Sequence, residues 1–408
     1  MRIAFLSASG QLGGAETCLL DMLASLRVAA PDWPLRLVSA ADGPLSARAR
    51  DLGVAVAVVP FPPAVARLGE TGSADSGGAA RFAAHVGLAA GGIAGYIGAV
   101  RDALSAFGPD RVHTNGLKMH LVGAYASNAP VVWHIHDFVG ARRVSRRLLR
   151  WNVARCAAII ANSDSVAADV RASLAPGVEV TRMYNGVDLA RFSPSGERLD
   201  LDALSALPPA PAGTVRVGLV GTFARWKGHE TFLRAVASLP DGTPVRAYIV
   251  GGPVYQTDAS QWSLDELRGL ASQLGVLDRV GFTGFVDRVD SALRALDVAV
   301  HASTSPEPFG LVIAEAMACG RAVIVSAAGG AAELVTPGLD ALTHAPRDVG
   351  ALGRAIAALA HDAATRTALG DAARLTAERR FDRARLGAEL IKVYEAAGAP
   401  TAAVAARG

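Results

Sequence analysis

Residues Ser303 to Gly320 read STSPEPFGLVIAEAMACG and follow the apolar run VAVHAS, which ends at Ser303. The run is a predicted strand, and the stretch joins it to a helix. Pro308, Phe309 and Gly310 are expected in the first helical turn, where the missing proline N–H would have lacked a partner anyway. The backbone N–H groups of Phe309, Gly310 and Leu311 are then open to an anion, and the helix dipole adds to the attraction. Glu307 lies in the loop before that end, and Glu315 sits about two turns further along. A helix start suited to phosphate, flanked by two carboxylates that accept hydroxyl hydrogen bonds, fits a nucleotide-sugar.

On either side the same strand–helix alternation repeats. In the first half the strand-like runs are RIAFLSA, LRLVSA, VAVAVVP, DRVHTNG, VVWHIHD, AAIIANS and VEVTRMYNG; in the second they are VRVGLVG, VRAYIVGG, VGFTGFV, VAVHAS and AVIVS. Short apolar runs separated by helical segments predict parallel sheets covered on both faces. The fold class is therefore α/β, with two doubly wound, Rossmann-like domains and ligand expected in a crevice at the carboxyl ends of their strands. The first domain is expected over 1–192. A polar, proline-containing linker, SPSGERLDLDALSALPPAPAG, covers 193–213, and the second domain covers 214–382. Residues 61–80, rich in Gly, Pro and Ser, read as a loop. Asp200 and Asp202 fall in the linker and read as solvated.

The 408 residues suffice for two cores, and 51% hydrophobic with 19% charged residues describes a globular chain. A net charge of +3 gives no reason to expect nucleic acid. Residues 1–190 hold 18 Lys+Arg against 14 Asp+Glu, and residues 191–408 hold 22 against 23, so the basic excess belongs to the first half. Cys18, Cys156 and Cys319 show no metal-ligand spacing and read as reduced thiols of a cytoplasmic protein. MRIAFLSASG has too short an apolar run for a signal peptide. Ala83 to Val100 has the length of a membrane span but is mostly Ala and Gly, and reads as a packed crossover helix.

Glu307, seven residues, then Glu315, within PEPFGLVIAEAMACGRAVIVSAAGGAAELV (306–335), resembles the E-x7-E motif of retaining glycosyltransferases of family 4, which have the GT-B fold. The resemblance spans motifs from Gly13 to Glu333. It implies transfer of a sugar from a nucleotide-diphosphate-sugar to an acceptor hydroxyl, in polysaccharide or glycolipid assembly. It also implies that the helix at 383–398 crosses back to the first domain, with 399–408 a frayed tail.

The same resemblance assigns roles by residue. Arg225 and Lys227, in GTFARWKGHE, would hold the diphosphate and stabilise the charge that grows on it as the glycosidic bond breaks. Phe309, Gly310 and Leu311 would add backbone donors, and Gly14 would lie near the same group. Glu315 would take the ribose hydroxyls and Glu307 those of the donor sugar. Phe285, in GFTGFV, would lie by the nucleobase. His136, which with Asp137 resembles the family's His-Asp pair, would sit beside the donor sugar. Gly13, Glu16, Asn115 and Asp137 fall on the acceptor side, with Asn115 read either as acceptor-facing or as structural. No metal-ligand cluster accompanies these motifs, so neither metal nor other cofactor is expected.

Donor sugar and base, uridine or guanosine, stay open, as does a saccharide or lipid-linked acceptor. ARRVSRRLLRW places Arg142, Arg146 and Arg150 on one helical stripe and Val144, Leu148 and Trp151 on another. It reads either as an ordinary surface helix or as a peripheral contact with the anionic inner face of a membrane. Two rival readings stand beside the transferase: another GT-B enzyme (epimerase, phosphorylase or inverting transferase), and a nucleotide-sugar-binding protein without catalysis.

Overall fold

Alternation along each strand decides the layering. On β1 (Ile3–Ser7), Ile3 and Phe5 point to one face while Ala4 and Leu6 point to the other, and all are fully buried. A computed structural model of the chain describes residues 1–63, 78–174, 177–253 and 260–398, with the backbone alone for 78–90. Most of the 61–80 stretch, and all of the 399–408 tail, lie outside the described residues.

The chain divides into two compact units, 1–186 with 383–408, and 187–382. In the first, β1, β2 (Leu35–Ser39), β3 (Ala55–Val58), β4 (Arg111–Asn115), β5 (Val131–Ile135), β6 (Cys156–Ala161) and β7 (Val180–Arg182) form a parallel sheet ordered β3-β2-β1-β4-β5-β6-β7. One face packs Leu6, Val112, Trp133 and Ile159 with Tyr96, Val100 and Leu104 of the helix Gly78–Ser105. That helix is a packed crossover, and among the described residues no helix is long and apolar enough to cross a membrane. The other face packs Phe5, Leu37 and Ile160 against the helices Gly14–Ala29 and Arg385–Ala396, the latter through Leu386, Leu390 and Tyr394. Gly387 N–H donates to Ser25 Oγ at 2.7 Å, which fastens the two helices together.

In the second unit, β8 (Val215–Val220), β9 (Val245–Val250), β10 (Val280–Gly284), β11 (Val298–His301), β12 (Ala322–Ser326) and β13 (Leu342–His344) form a parallel sheet ordered β10-β9-β8-β11-β12-β13. Its core joins Val217, Leu219, Val300 and Ile324 to Phe232 and Ile356. The edge strand β13 was not expected; three residues give no alternation to read. In each sheet the order reverses at the first strand, between β1 and β4 and between β8 and β11. Side chains that leave the carboxyl ends there are placed for ligand.

The unit boundary falls at 186/187, and the 193–213 stretch groups with the second unit. Asp202, read as solvated, is buried. It accepts from Tyr248 Oη at 2.6 Å, Arg246 Nη1 at 2.7 Å and Arg216 Nη2 at 3.1 Å. Burial alone would raise its carboxyl, but these donors hold it well below the usual carboxylate range. β8 and β9 each begin with an arginine one residue in, and Asp202 is their shared counter-ion.

Candidate active site

β8 delivers the chain to a 3-10 turn, Arg225–Lys227, closed by Gly228 in the left-handed conformation at φ 80°. A Cβ on Gly228 would lie 1.8 Å from the Ala302 carbonyl oxygen, so only glycine lets this turn press against the end of β11. The approach is fastened by Thr304 N–H donating to Trp226 O at 2.7 Å. It places Lys227 Nζ 3.0 and 3.1 Å from the two carboxylate oxygens of Glu307.

Glu307 is held from both ends. Its backbone bridges to Gly329, with its N–H donating to Ala328 O (3.2 Å) and its carbonyl accepting from Gly330 N–H (2.7 Å). Gly329 is also left-handed, at φ 66°, and a Cβ there would fall 2.6 Å from Glu307 O. At the other end Ser303 Oγ donates to Oε2 at 2.8 Å, and His301 Nε2 lies 3.1 Å from the same oxygen. Burial would push this carboxyl up, but the Lys227 ammonium and the His301 contact prevail and hold it at about 2. Ser303 and His301 were not anticipated. Their period-two spacing at the end of β11, on the face that leads to Glu307, was the available signal.

Arg225 is not part of that pair. Its guanidinium stacks over Trp262 at 4.0 Å and bonds Glu266 at 2.8 Å, at an exposed position. The helix start differs from the expectation. Leu311–Ala318 is the helix and Gly310 its N-cap, so Pro308 and Phe309 precede it and the first helical N–H groups are those of Leu311 and Val312. Gly310 takes the left-handed conformation at φ 93°, which a rule based on proline alone does not foresee. The Phe309 side chain is buried against Phe381. Glu315 is half-buried on the same helix, and Phe285 is 63% exposed at the end of β10.

In the first unit Gly13 caps the helix Gly14–Ala29, and its N–H donates to Glu16 Oε2 at 3.2 Å. Glu16 therefore serves its own helix, and burial raises its carboxyl. Gly14 is exposed beside it. Asn115, at the end of β4, is 2% exposed and uses both ends of its amide within the unit. Its Oδ1 lies 2.6 Å from His136 Nε2, so the structure brings these two predicted residues together. Burial lowers the His136 imidazole to about 4, so it is neutral at physiological pH. Asp137 turns outward to an ion pair with Arg142. Among the described residues no group of three or more His, Cys, Asp or Glu is arranged to hold a metal ion.

A family model described as glycosyltransferase family 4 matches residues 12–191, and one described as glycosyl transferases group 1 matches 208–376. The chain belongs to glycosyltransferase family 4. Both sheets also have the GT-B organisation of solved glycosyltransferases. HepE of Anabaena, solved in complex with UDP and glucose, matches this family 4 chain with TM-score 0.77 and 27% identity, over 97% of this chain and 99% of that one. D-inositol 3-phosphate glycosyltransferase 2 of Catenulispora acidiphila is 36% identical over 49% of this chain and 47% of its own length. The lipopolysaccharide core biosynthesis mannosyltransferase LpcC of Rhizobium leguminosarum is 34% identical over 57% and 62%. The chain thus spans about half the length of the curated relatives it matches.

Proposed function

We propose that this chain is a retaining hexosyltransferase that uses a nucleoside-diphosphate sugar and needs no metal ion. The observation that carries the reading is the Lys227–Glu307 pair at the carboxyl end of the second sheet, with Arg225 two residues before the lysine. Lys227 and Arg225 offset the charge that grows on the departing diphosphate, in place of a divalent cation. Glu307, ionised over the whole physiological range, accepts hydroxyl hydrogen bonds of the donor sugar, and Glu315 those of the ribose. The anomeric carbon–oxygen bond to phosphate breaks as the acceptor oxygen bonds that carbon from the same face. The acceptor's proton passes to a phosphate oxygen of the leaving group. Such a step needs no side-chain nucleophile.

The UDP and glucose bound by HepE favour a UDP-hexose among donors. The lipopolysaccharide-core relative favours a saccharide or lipid-linked acceptor. Exposed Arg143, Arg146, Arg147 and Arg150, with the 65% exposed Trp151, suit peripheral contact with an anionic membrane at its cytoplasmic face. The test is a thermal-stability screen of nucleotide-sugars. A ligand at one hundred times its dissociation constant adds about 2.7 kcal/mol. The stabilising donor is then offered with candidate acceptors, and the anomeric configuration of the product is determined. Inversion would overturn the retaining mechanism, and binding without turnover across acceptors would favour a binding protein.

A further inference from the structure

Asn115 has no task in the functional reading, although it is buried at the reversal point of the first sheet. Its two hydrogen bonds fix one another. Nδ2 lies 3.2 Å from the Ala15 carbonyl oxygen, which can only accept, so the amide cannot be turned the other way. Oδ1 therefore faces His136 Nε2 at 2.6 Å, and an amide oxygen can only accept. Nε2 must carry the ring proton. The second ring nitrogen, Nδ1, is buried and has no hydrogen-bond partner among the described residues. The backbone beneath the ring is pinned as well, because Asn162 Nδ2 donates to His136 O at 3.3 Å.

We propose that Asn115 is a positioning residue that fixes His136 as its Nε2–H tautomer and leaves Nδ1 as a lone-pair acceptor for a ligand hydroxyl. A neutral imidazole with its lone pair at Nδ1 takes a hydroxyl donor and rejects a phosphate oxygen. This separates its role from that of Arg225 and Lys227. Ala15 lies in the first turn of the helix Gly14–Ala29, so Asn115 also ties His136 to the glycine loop. The ligand hydroxyl rests on the proposed function; the tautomer does not.

The experiment is long-range proton–nitrogen correlation NMR of the nitrogen-15-labelled full chain, with the His136 signals assigned by their loss in His136→Gln. The expected result is a protonated-type Nε2 and an unprotonated-type Nδ1 in the wild-type protein. In Asn115→Ala the proton should redistribute toward Nδ1. Asn115→Asp keeps an acceptor and should retain Nε2–H. A wild-type Nδ1–H form, or an unchanged tautomer in Asn115→Ala, overturns the proposal. With a working donor and acceptor, Asn115→Ala should lose ~10-fold in kcat, about the worth of one hydrogen bond, with little change in donor KM, and Asn115→Asp should recover part of it. A loss confined to KM would also count against it. If the tautomer is as stated and no sugar transfer is found, the functional reading fails and the positioning of His136 stands.

Discussion

Lys227 Nζ and the Glu307 carboxylate, 80 residues apart in sequence, form a two-point contact at 3.0 and 3.1 Å with the lysine 21% and the glutamate 8% exposed at their side chains. The pair satisfies itself while no ligand is present. Under the proposed function, a diphosphate reaching the ammonium would compete with the carboxylate and free its oxygens for hydroxyls, so binding of charge and of sugar would be coupled through this ion pair.

The first prediction concerns the cations. Lys227→Ala and Arg225→Ala should each lower turnover at least ~100-fold, the scale of removing one group that stabilises transition-state charge. Steady-state kinetics with a stabilising donor measures this. A near-wild-type rate in either variant would remove that residue from the site.

Acid stability gives a second prediction. The Glu307 carboxyl is depressed from the ordinary 4.5 to about 2 in the folded chain. Its contribution is therefore complete above the unfolded value and is lost as pH falls from about 4.5 towards 2. Glu307→Gln should flatten the decline in unfolding free energy between roughly pH 5 and pH 3, and should cost stability at neutral pH because Lys227 is left beside an uncharged amide. Parallel pH dependences in denaturant titrations of the two proteins would sink the assignment.

A third prediction separates two glycines. Gly228→Ala adds a Cβ 1.8 Å from Ala302 O as well as a left-handed alanine, and should cost ~3 kcal/mol. Gly213, at φ 83° with no atom within 4 Å of a notional Cβ, carries only the conformational penalty, so Gly213→Ala should cost ~1 kcal/mol. Equal losses in urea titrations would show that the close approach to β11 is not what requires Gly228.

The fourth prediction is that turnover persists in excess EDTA, because in the proposed mechanism Arg225 and Lys227 supply the positive charge to the diphosphate. Activity abolished by chelator and restored by magnesium or manganese would overturn the metal-free reading.

The fifth concerns the helix Arg143–Asn152. Arg147 lies over the exposed Trp151 ring at 4.7 Å, and Arg155 over the half-exposed Tyr125 at 4.7 Å, so cations and aromatic rings share this surface. Each arginine near an anionic bilayer adds about 1 kcal/mol, screened by salt. Co-sedimentation should need anionic vesicles, weaken with salt and fall when Arg146, Arg147 and Arg150 become glutamine. Equal recovery from neutral vesicles would favour a soluble acceptor.

The sequence alone made the sheets legible. Runs such as VRVGLV and VVWHI are too apolar and too short to be anything but buried strands, and the helices between them force parallel pairing. Arg225, Lys227 and Glu307 were marked by the resemblance to family motifs, and of these the structure brings Lys227 and Glu307 together. What was hidden depends on long-range placement or on backbone conformation. The Asp202 cluster joins a polar segment to two strands that follow it. The left-handed Gly310 moves the helix start from the proline to Leu311. Trp151, grouped with Val144 and Leu148 by helical spacing, is exposed because Leu149 and Asn152 are the residues that turn inward. Asn115 looked ambiguous because its two partners, Ala15 and His136, come from distant elements.

The helix Arg385–Ala396 completes the core of a unit whose other residues end at Gly186. Gly186 approaches Arg383 so closely that a Cβ would lie 2.6 Å from its Cα, while Val187 N–H donates to Phe381 O at 2.7 Å, so the outgoing and returning chain run side by side. The 187–382 unit is in effect an insertion into a domain that stays open until the chain returns. On the ribosome the order of completion is then the reverse of the order of synthesis. The inserted unit can close while Phe5, Leu19 and Leu23 still wait for Leu386, Leu390 and Tyr394, and a nascent chain stalled before residue 383 would hold an exposed apolar face for chaperones to cover.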